Sequence, residues 1–168
     1  MIIAEGPIFQ LCWVVADLAA ARREFSERYG VAEWFAIPDV RFGPESGELR
    51  GAPADYTISV ALGYAGGQQL ELIEPGSGAS LYREQLDRSG PGLHHIAWVP
   101  ADFDAALVAA RRAGRELVAR GSFGGIGMEF AYFDGGPLGS YVELMRLSPR
   151  MRAIFDRLIP EGYTNPWV

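Results

Sequence analysis

Two glutamates and a histidine sit in strand-like runs that are otherwise largely apolar: Glu71 in LELIEP, Glu143 in VELMRL and His95 in LHHIAW. A carboxylate among apolar strand neighbours costs several kcal/mol unless it is paired, protonated or bound to a cation. Gln10, in IFQLCWVV, is likewise the polar residue of an apolar strand. Taken singly, these residues say little. A lone strand histidine is more often a hydrogen-bonded core residue than a ligand. A lone strand glutamate commonly faces water from an antiparallel sheet.

An internal repeat joins them. QLCWVVAD from Gln10 lies over HIAWVPAD from His95, with Trp13 over Trp98, Val14 over Val99 and Asp17 over Asp102. LELIEP lies over VELMRL, which sets Glu71 over Glu143. The four polar residues thus occupy two pairs of repeat-equivalent positions, and paired carboxylates at equivalent places ask for one explanation. A single divalent ion supplies it. Two carboxylates, an imidazole and an amide oxygen form a mixed N/O donor set suited to Zn, Co, Ni, Mn or Fe(II). Gln10, Glu71, His95 and Glu143 are the candidate ligands.

Each copy opens with a β-type run, continues through an aspartate suited to cap a helix, and runs on as an Ala/Arg-rich stretch ending at Gly30 or Gly114. Three further strand-like runs follow in each half: about Glu33–Phe42, Tyr56–Tyr64 and Gln69–Glu74, then Arg115–Phe123, Met128–Asp134 and Ser140–Leu147. The pattern is βαβββ twice. Residues 6–75 form the first module, 76–92 a linker with a short helix, 93–147 the second module, and 148–168 a C-terminal helix (about Pro149–Ile159) with a tail. The first half is longer, and its surplus falls in Gly43–Ala54, a loop by its Gly/Pro content. The glycine-rich Ser122–Phe130 lies between two strands rather than before a helix, so it reads as a hairpin or flap over the site and not as a phosphate loop.

Strand alternation puts Ile8, Gln10, Cys12 and Val14 on one face. In the second half Leu93, His95, Ala97 and Val99 share a face, with His94 on the opposite one, packing or hydrogen-bonding behind the sheet. Cys12 therefore shares the ligand face, although a solitary cysteine is more commonly a small buried hydrophobe.

Composition removes other chemistries. The formal charge is −6 and the arginines are scattered, which excludes a nucleic-acid partner. All 15 basic residues are Arg, so there is no lysine for a Schiff base or a phosphate loop. Cys12 is the one cysteine, so no disulfide framework exists. No targeting segment and no apolar run of about 18 residues is visible, so a soluble cytoplasmic protein away from membranes is expected.

From about Ile8 to Leu147, the motifs QLCWVVAD, LELIEP, GLHHIAWVPAD and YVELMRL resemble the vicinal oxygen chelate superfamily, which includes glyoxalase I, methylmalonyl-CoA epimerase, fosfomycin-resistance proteins and extradiol dioxygenases. The resemblance implies an α+β fold: two tandem βαβββ modules in a cupped, open mixed sheet, plus the C-terminal helix. It also implies one divalent ion on the concave face, with a ligand on the first and last strand of each module, here Gln10, Glu71, His95 and Glu143. That ligand order resembles eukaryotic-type glyoxalase I, whereas GLHHIAWVPAD is closer to methylmalonyl-CoA epimerase. Three departures matter. The dioxygenases and fosfomycin-resistance enzymes use two His and one Glu, which the adjacent His94 and His95 do not match. Thr57 or Ser59 stands where the epimerases carry a second carboxylate, and Val14 where glyoxalase I has an arginine.

Both remaining subfamilies polarise a carbonyl and remove the neighbouring C–H proton through an enolate or enediolate. The resemblance thus implies a metal-dependent isomerase or epimerase acting on a small molecule or thioester, with Glu143 as the base and Glu71 as a fixed ligand. Alternatives are a glyoxalase I-type lactoylglutathione lyase and a small-molecule-binding or resistance protein of the same fold. A homodimer is expected, because cups of this family are often completed by a partner and Ile154, Phe155 and Leu158 form an apolar stripe.

Overall fold

Alternating apolar runs become strands, and the Ala/Arg-rich runs that follow an aspartate become helices. A computed structural model describes residues 2–123, 125 and 127–167. Its first half contains β1 (Gln10–Val14), α1 (Leu18–Tyr29), β2 (Trp34–Phe42), β3 (Gly47–Leu49), β4 (Ala52–Pro53), β5 (Tyr56–Ala65) and β6 (Gln68–Pro75). After α2 (Leu81–Ser89) come β7 (Gly92–Trp98), α3 (Phe103–Arg112), β8 (Leu117–Phe123), β9 (Met128–Asp134), β10 (Tyr141–Leu147) and α4 (Pro149–Leu158).

The helix starts are fixed by short polar side chains. Asp17 accepts from the Ala20 N–H at 2.8 Å and Asp102 from the Ala105 N–H at 2.9 Å, satisfying donors that a first helical turn leaves free. Glu74 adds to the first of these ends by accepting from the Leu18 N–H at 2.6 Å. Gly30 closes α1 in the left-handed conformation, at φ 72°. Ser80 and Ser148 cap α2 and α4 in the same manner.

All ten strands join one mixed sheet in the order β2-β5-β6-β1-β7-β10-β9-β8-β3-β4. Within each module the first and last strands are parallel, β1 with β6 and β7 with β10, while β1 and β7 meet antiparallel at the junction. The sheet is strongly curled. Its convex side is covered by α1, through Trp13, Leu18, Phe25 and Leu72, and by α3, through Phe103, Ala106, Ala110 and Leu144. The concave side holds the larger apolar cluster, to which α2 contributes Leu81 and Tyr82 and α4 contributes Met151 and Phe155.

The segment Gly43–Ala54, expected to be a loop, contains the hairpin β3–β4. Its strands are too short to show an alternating apolar pattern, and what holds them is backbone pairing to β8 of the other module, Gly47 to Gly121 and Leu49 to Ala119. Arg50 and Gly51 make the turn at φ 48° and 79°, the double positive φ of a type I′ hairpin. The first module thereby crosses from one edge of the curled sheet to the other. Phe42, ending β2, meets Phe123 and Phe130 with ring centroids 4.9 and 5.4 Å apart, which walls the cup.

Helix α4 spends its apolar stripe at home. Phe155 is fully buried in the cup, with Ile154 and Leu158 packed against the same cluster. A homodimer would have to use another surface. No described helix is long and apolar enough to cross a membrane.

Candidate metal centre

Two neighbouring rows of side chains cross the middle of the concave face. Gln69, Gln10, Ala97, Glu143 and Tyr132 are successive register partners in one row; Leu62, Glu71, Cys12, His95 and Tyr141 are partners in the other. Gln10 faces Ala97 as His95 faces Cys12, and Glu71 and Glu143 pair with the residues two positions beyond Gln10 and His95. The repeat visible in the sequence is therefore the pseudo-twofold symmetry of the sheet. Ala97 and Cys12 are small, and the longer side chains beside them converge above the strands.

All four sequence-selected residues are brought together there. His95 Nε2 lies 3.2 Å from Gln10 Oε1, 3.3 Å from Glu71 Oε2 and 3.0 Å from Glu143 Oε2. Gln10, His95 and Glu143 are buried; Glu71 is the most open, its side chain 15% exposed. Three oxygen acceptors thus crowd one ring nitrogen, which has at most one proton to share. The imidazole hydrogen bond is directed at Gln10, and Glu143 Oε2 is left buried with no hydrogen-bond partner. Such an excess of lone pairs in a dry place is satisfied by a cation. Donors about 2.1 Å from one ion and 90–109° apart are separated by roughly 3.0–3.4 Å, the range of the three distances to His95 Nε2.

The electrostatics point the same way. Burial disfavours the His95 imidazolium, yet the Glu143 and Glu71 carboxylates outweigh burial and hold the ring up at about 9. Burial raises Glu143, and the Glu71 charge adds to this, against the lowering influence of His95. Without an ion, the cluster retains a proton in its place.

Cys12 Sγ lies near the same centre, within 4.8 Å of ligand atoms of Glu71 and His95. Burial, then the nearby Glu71 carboxylate, pushes it well above the usual thiol range. Cys12, Glu71 and His95 thus form a second candidate ligand set on the same centre, in which a bound ion would displace the thiol proton.

His94 departs from the strand-alternation expectation. The register of β7 against β1 steps from Cys12–His95 to Trp13–Leu93, so His94 is the extra residue of a β-bulge. The bulge turns both imidazoles to the same side of the sheet, with Nδ1 atoms 2.9 Å apart and both rings against Tyr132. His94 is therefore not behind the sheet; it is the hydrogen-bond partner of the His95 nitrogen that faces away from the carboxylates. Burial, and then His95, keeps His94 well below the usual histidine range, so it stays neutral and able to accept. An outer contact of this kind sets which nitrogen of His95 carries the proton.

Sequence reading also missed Tyr132, the register partner of Glu143, whose hydroxyl lies 3.0 Å from that of Tyr82. Burial holds both phenols well above their ordinary range. Gln69, likewise missed, accepts from the Gln10 amide at 2.8 Å. Its position was readable, because it shares a strand face with Glu71 two residues away.

Beside the polar cluster lies a cavity of about 250 Å³, lined by Val60, Leu62, Ile73, Phe130, Met145 and Phe155 among other apolar groups. No described residue lining it is cationic. From β5 it receives Ile58, Val60 and Leu62, while Thr57 hydrogen-bonds with Ser77 and Ser59 with the Asp39 N–H. Glu71 and Glu143 are thus the two carboxylates among its described lining residues. The Ser122–Phe130 segment forms the expected hairpin, with Gly124 and Ile126 outside the described residues, and Phe123 and Met128 at its base line the cavity.

A curled sheet of two βαβββ units with polar donors on their first and last strands defines a known class. The sequence matches the profile of the glyoxalase/bleomycin resistance protein/dioxygenase superfamily over residues 9–132, and the chain belongs to that superfamily. No curated protein sequence matches it as a relative. Among solved structures it is similar to methylmalonyl-CoA epimerase from Mycobacterium tuberculosis, at 22% identity and a TM-score of 0.62, covering 90% of this chain and 93% of that one. A variant of the Streptomyces coelicolor methylmalonyl-CoA epimerase in complex with 2-nitronate-propionyl-CoA is similar at 21% identity and a TM-score of 0.65, covering 87% and 97%. A hypothetical protein from Bacillus halodurans is similar at 16% identity and a TM-score of 0.64, covering 86% and 96%. At these identities the likeness concerns the fold.

Proposed function

We propose that the chain is a metal-dependent isomerase or epimerase that removes and returns the proton next to a carbonyl, in a small and mostly apolar molecule or the acyl end of a thioester. The observation that carries this reading is the convergence of Gln10 Oε1, Glu71 Oε2 and Glu143 Oε2 on His95 Nε2 at the end of an apolar cavity. A divalent ion bound by Gln10, Glu71, His95 and Glu143 would polarise the substrate carbonyl and offset the negative charge developing on its oxygen.

The residues supply the rest. Glu143, whose proton affinity is raised by burial, takes the proton from the adjacent carbon and gives it back. Tyr132, its register partner on the next strand, flanks that carboxylate. Glu71 keeps its place as a fixed ligand, and the apolar walls lower the dielectric around the developing charge. With no third carboxylate among the described lining residues, one base that carries the proton on the same face to the neighbouring carbon of an enediolate, an isomerisation, is favoured over inversion at one carbon by two bases.

The cavity is smaller than the roughly 300–1,000 Å³ of common ligand pockets, so the reacting part of the substrate is compact. The absence of a cation from its described lining speaks against the glyoxalase alternative, whose substrate carries glutathione carboxylates. It leaves the phosphates of a thioester outside the cup. A binding or resistance protein needs no buried carboxylate pair, which is the observation against that alternative.

The direct test is a panel of small ketones, thioesters and hemithioacetals incubated with the metal-loaded protein in deuterium oxide. Deuterium is expected to enter the carbon next to the carbonyl of at least one compound, to stop on chelation and to resume when the ion is restored. Binding of a panel member without exchange in the loaded protein would favour the sequestering reading.

Ion and proton compete for His95 Nε2, which gives a further prediction. Because the ion-free ring is held up at about 9, affinity for zinc should rise by roughly tenfold per pH unit below that value and flatten above it. Chelator competition at several pH values measures this; a pH-independent affinity would remove His95 from the ligand set. We also propose a homodimer built on a surface other than the α4 stripe, for which light scattering should return twice the chain mass of 18.3 kDa.

A further inference from the structure

An amide ligand can present its oxygen or its NH₂ group, which have nearly the same shape, and only the oxygen binds a cation. A chain of hydrogen bonds running from the C-terminal tail to Gln10 decides between them. It begins at Asp156, whose Oδ1 accepts from Asn165 Nδ2 at 2.9 Å and from the Trp167 indole N–H at 2.8 Å. A carboxylate only accepts and an indole N–H only donates, so Asn165 has to turn its NH₂ outward and its oxygen inward. That oxygen accepts from the Tyr64 hydroxyl at 2.9 Å.

Tyr64 has one proton, and burial holds its phenol up at about 12. The proton goes to Asn165, with the Phe155 carbonyl at 3.4 Å as a second acceptor on the same side. Its oxygen is then free to accept from Gln69 Nε2 at 2.8 Å. Gln69 Oε1 is thereby turned to accept from Gln10 Nε2 at 2.8 Å, which leaves Gln10 Oε1 facing His95. Each link has a single direction, set at its far end by a group that cannot donate.

We infer that Tyr64 and Gln69, polarised by Asn165 and Asp156 at the C-terminal end of the chain, are positioning residues that lock the Gln10 amide with its oxygen toward the metal. This rests on the proposed metal site. The links pass through residues that are buried or nearly so, Gln69, Tyr64 and Asn165, so water does not readily replace them. Residues far from the site in sequence would thus set the affinity for the ion without touching it.

Tyr64→Phe removes the one hydroxyl proton and leaves Gln69 free to reverse. Zinc affinity is measured by chelator competition for wild type, Tyr64→Phe, Gln10→Ala and the double variant. Tyr64→Phe should bind zinc about tenfold or more weakly than wild type, the usual size of a lost outer contact to a ligand. In the Gln10→Ala background the same change should have no further effect. Unchanged affinity in Tyr64→Phe, or equal weakening in both backgrounds, would overturn the inference, the latter because it reports general loosening. If Tyr64→Phe does not fold, Asn165→Leu decides: weaker binding than wild type supports the chain and equal binding overturns it. A wild-type protein that takes up no zinc would overturn the metal assignment itself, an outcome told apart by the first titration.

Discussion

Replacing Glu143 with glutamine should leave the ion bound and lower turnover by about 10²- to 10⁴-fold, the usual worth of a positioned general base. The amide still offers an oxygen where Glu143 Oε2 lies, 3.0 Å from His95 Nε2, but it cannot take a proton. Glu71→Gln makes the same chemical change at the pseudo-symmetric position. Burial distinguishes the two carboxylates. Glu143 is nearly inaccessible and has its affinity for a proton raised by burial, whereas Glu71 is the more open. Glu71→Gln should therefore cost less in turnover. Solvent deuterium should enter the substrate carbon with wild type and not with Glu143→Gln. Equal exchange in the two proteins would make Glu143 a ligand only and move the base elsewhere.

The parts of this arrangement that were legible in the sequence are those that depend on local rules. Asp17 and Asp102 announced their helices because a short acceptor before an Ala-rich run has one effective use, capping the first turn. Met128–Asp134 was readable to the residue because it is an unbroken β-prone run between turn-forming segments. The equivalence of Glu71 and Glu143 survived into the register because the repeat preserves strand alternation on both sides of the pseudo-twofold axis.

What was not legible depends on partners distant in the chain. The bulge that swings His94 to the concave side is a mismatch between β7 and β1, and nothing in GLHHIAW alone reports it. The hairpin of Gly47–Pro53 exists because β8 offers it an edge, so its glycines and prolines masked a pairing made elsewhere. Phe155 seemed available to a second subunit because an amphipathic helix shows its apolar stripe without showing what will cover it. The chain from Asp156 to Gln10 is carried by single polar residues that in sequence look like ordinary surface choices.

The second large effect concerns the ion itself. His95 is the one nitrogen donor among the four candidate ligands, and its ring is fully buried between the carboxylates. Replacing it with alanine removes a ligand and leaves Glu71 and Glu143 facing each other across an empty space. Loss of retained metal is expected, together with a lower melting temperature, since the two carboxylates then lack both the imidazole and the ion. Gln10→Ala, which removes a neutral donor, should weaken retention less.

The most direct measurement is the metal content of purified wild-type protein beside that of His95→Ala, determined by elemental analysis after exhaustive dialysis. One divalent ion per chain in wild type and close to none in His95→Ala is the predicted result. Wild type without stoichiometric metal, even after loading, or His95→Ala retaining a full equivalent, would contradict the assignment of Gln10, Glu71, His95 and Glu143 as a metal centre.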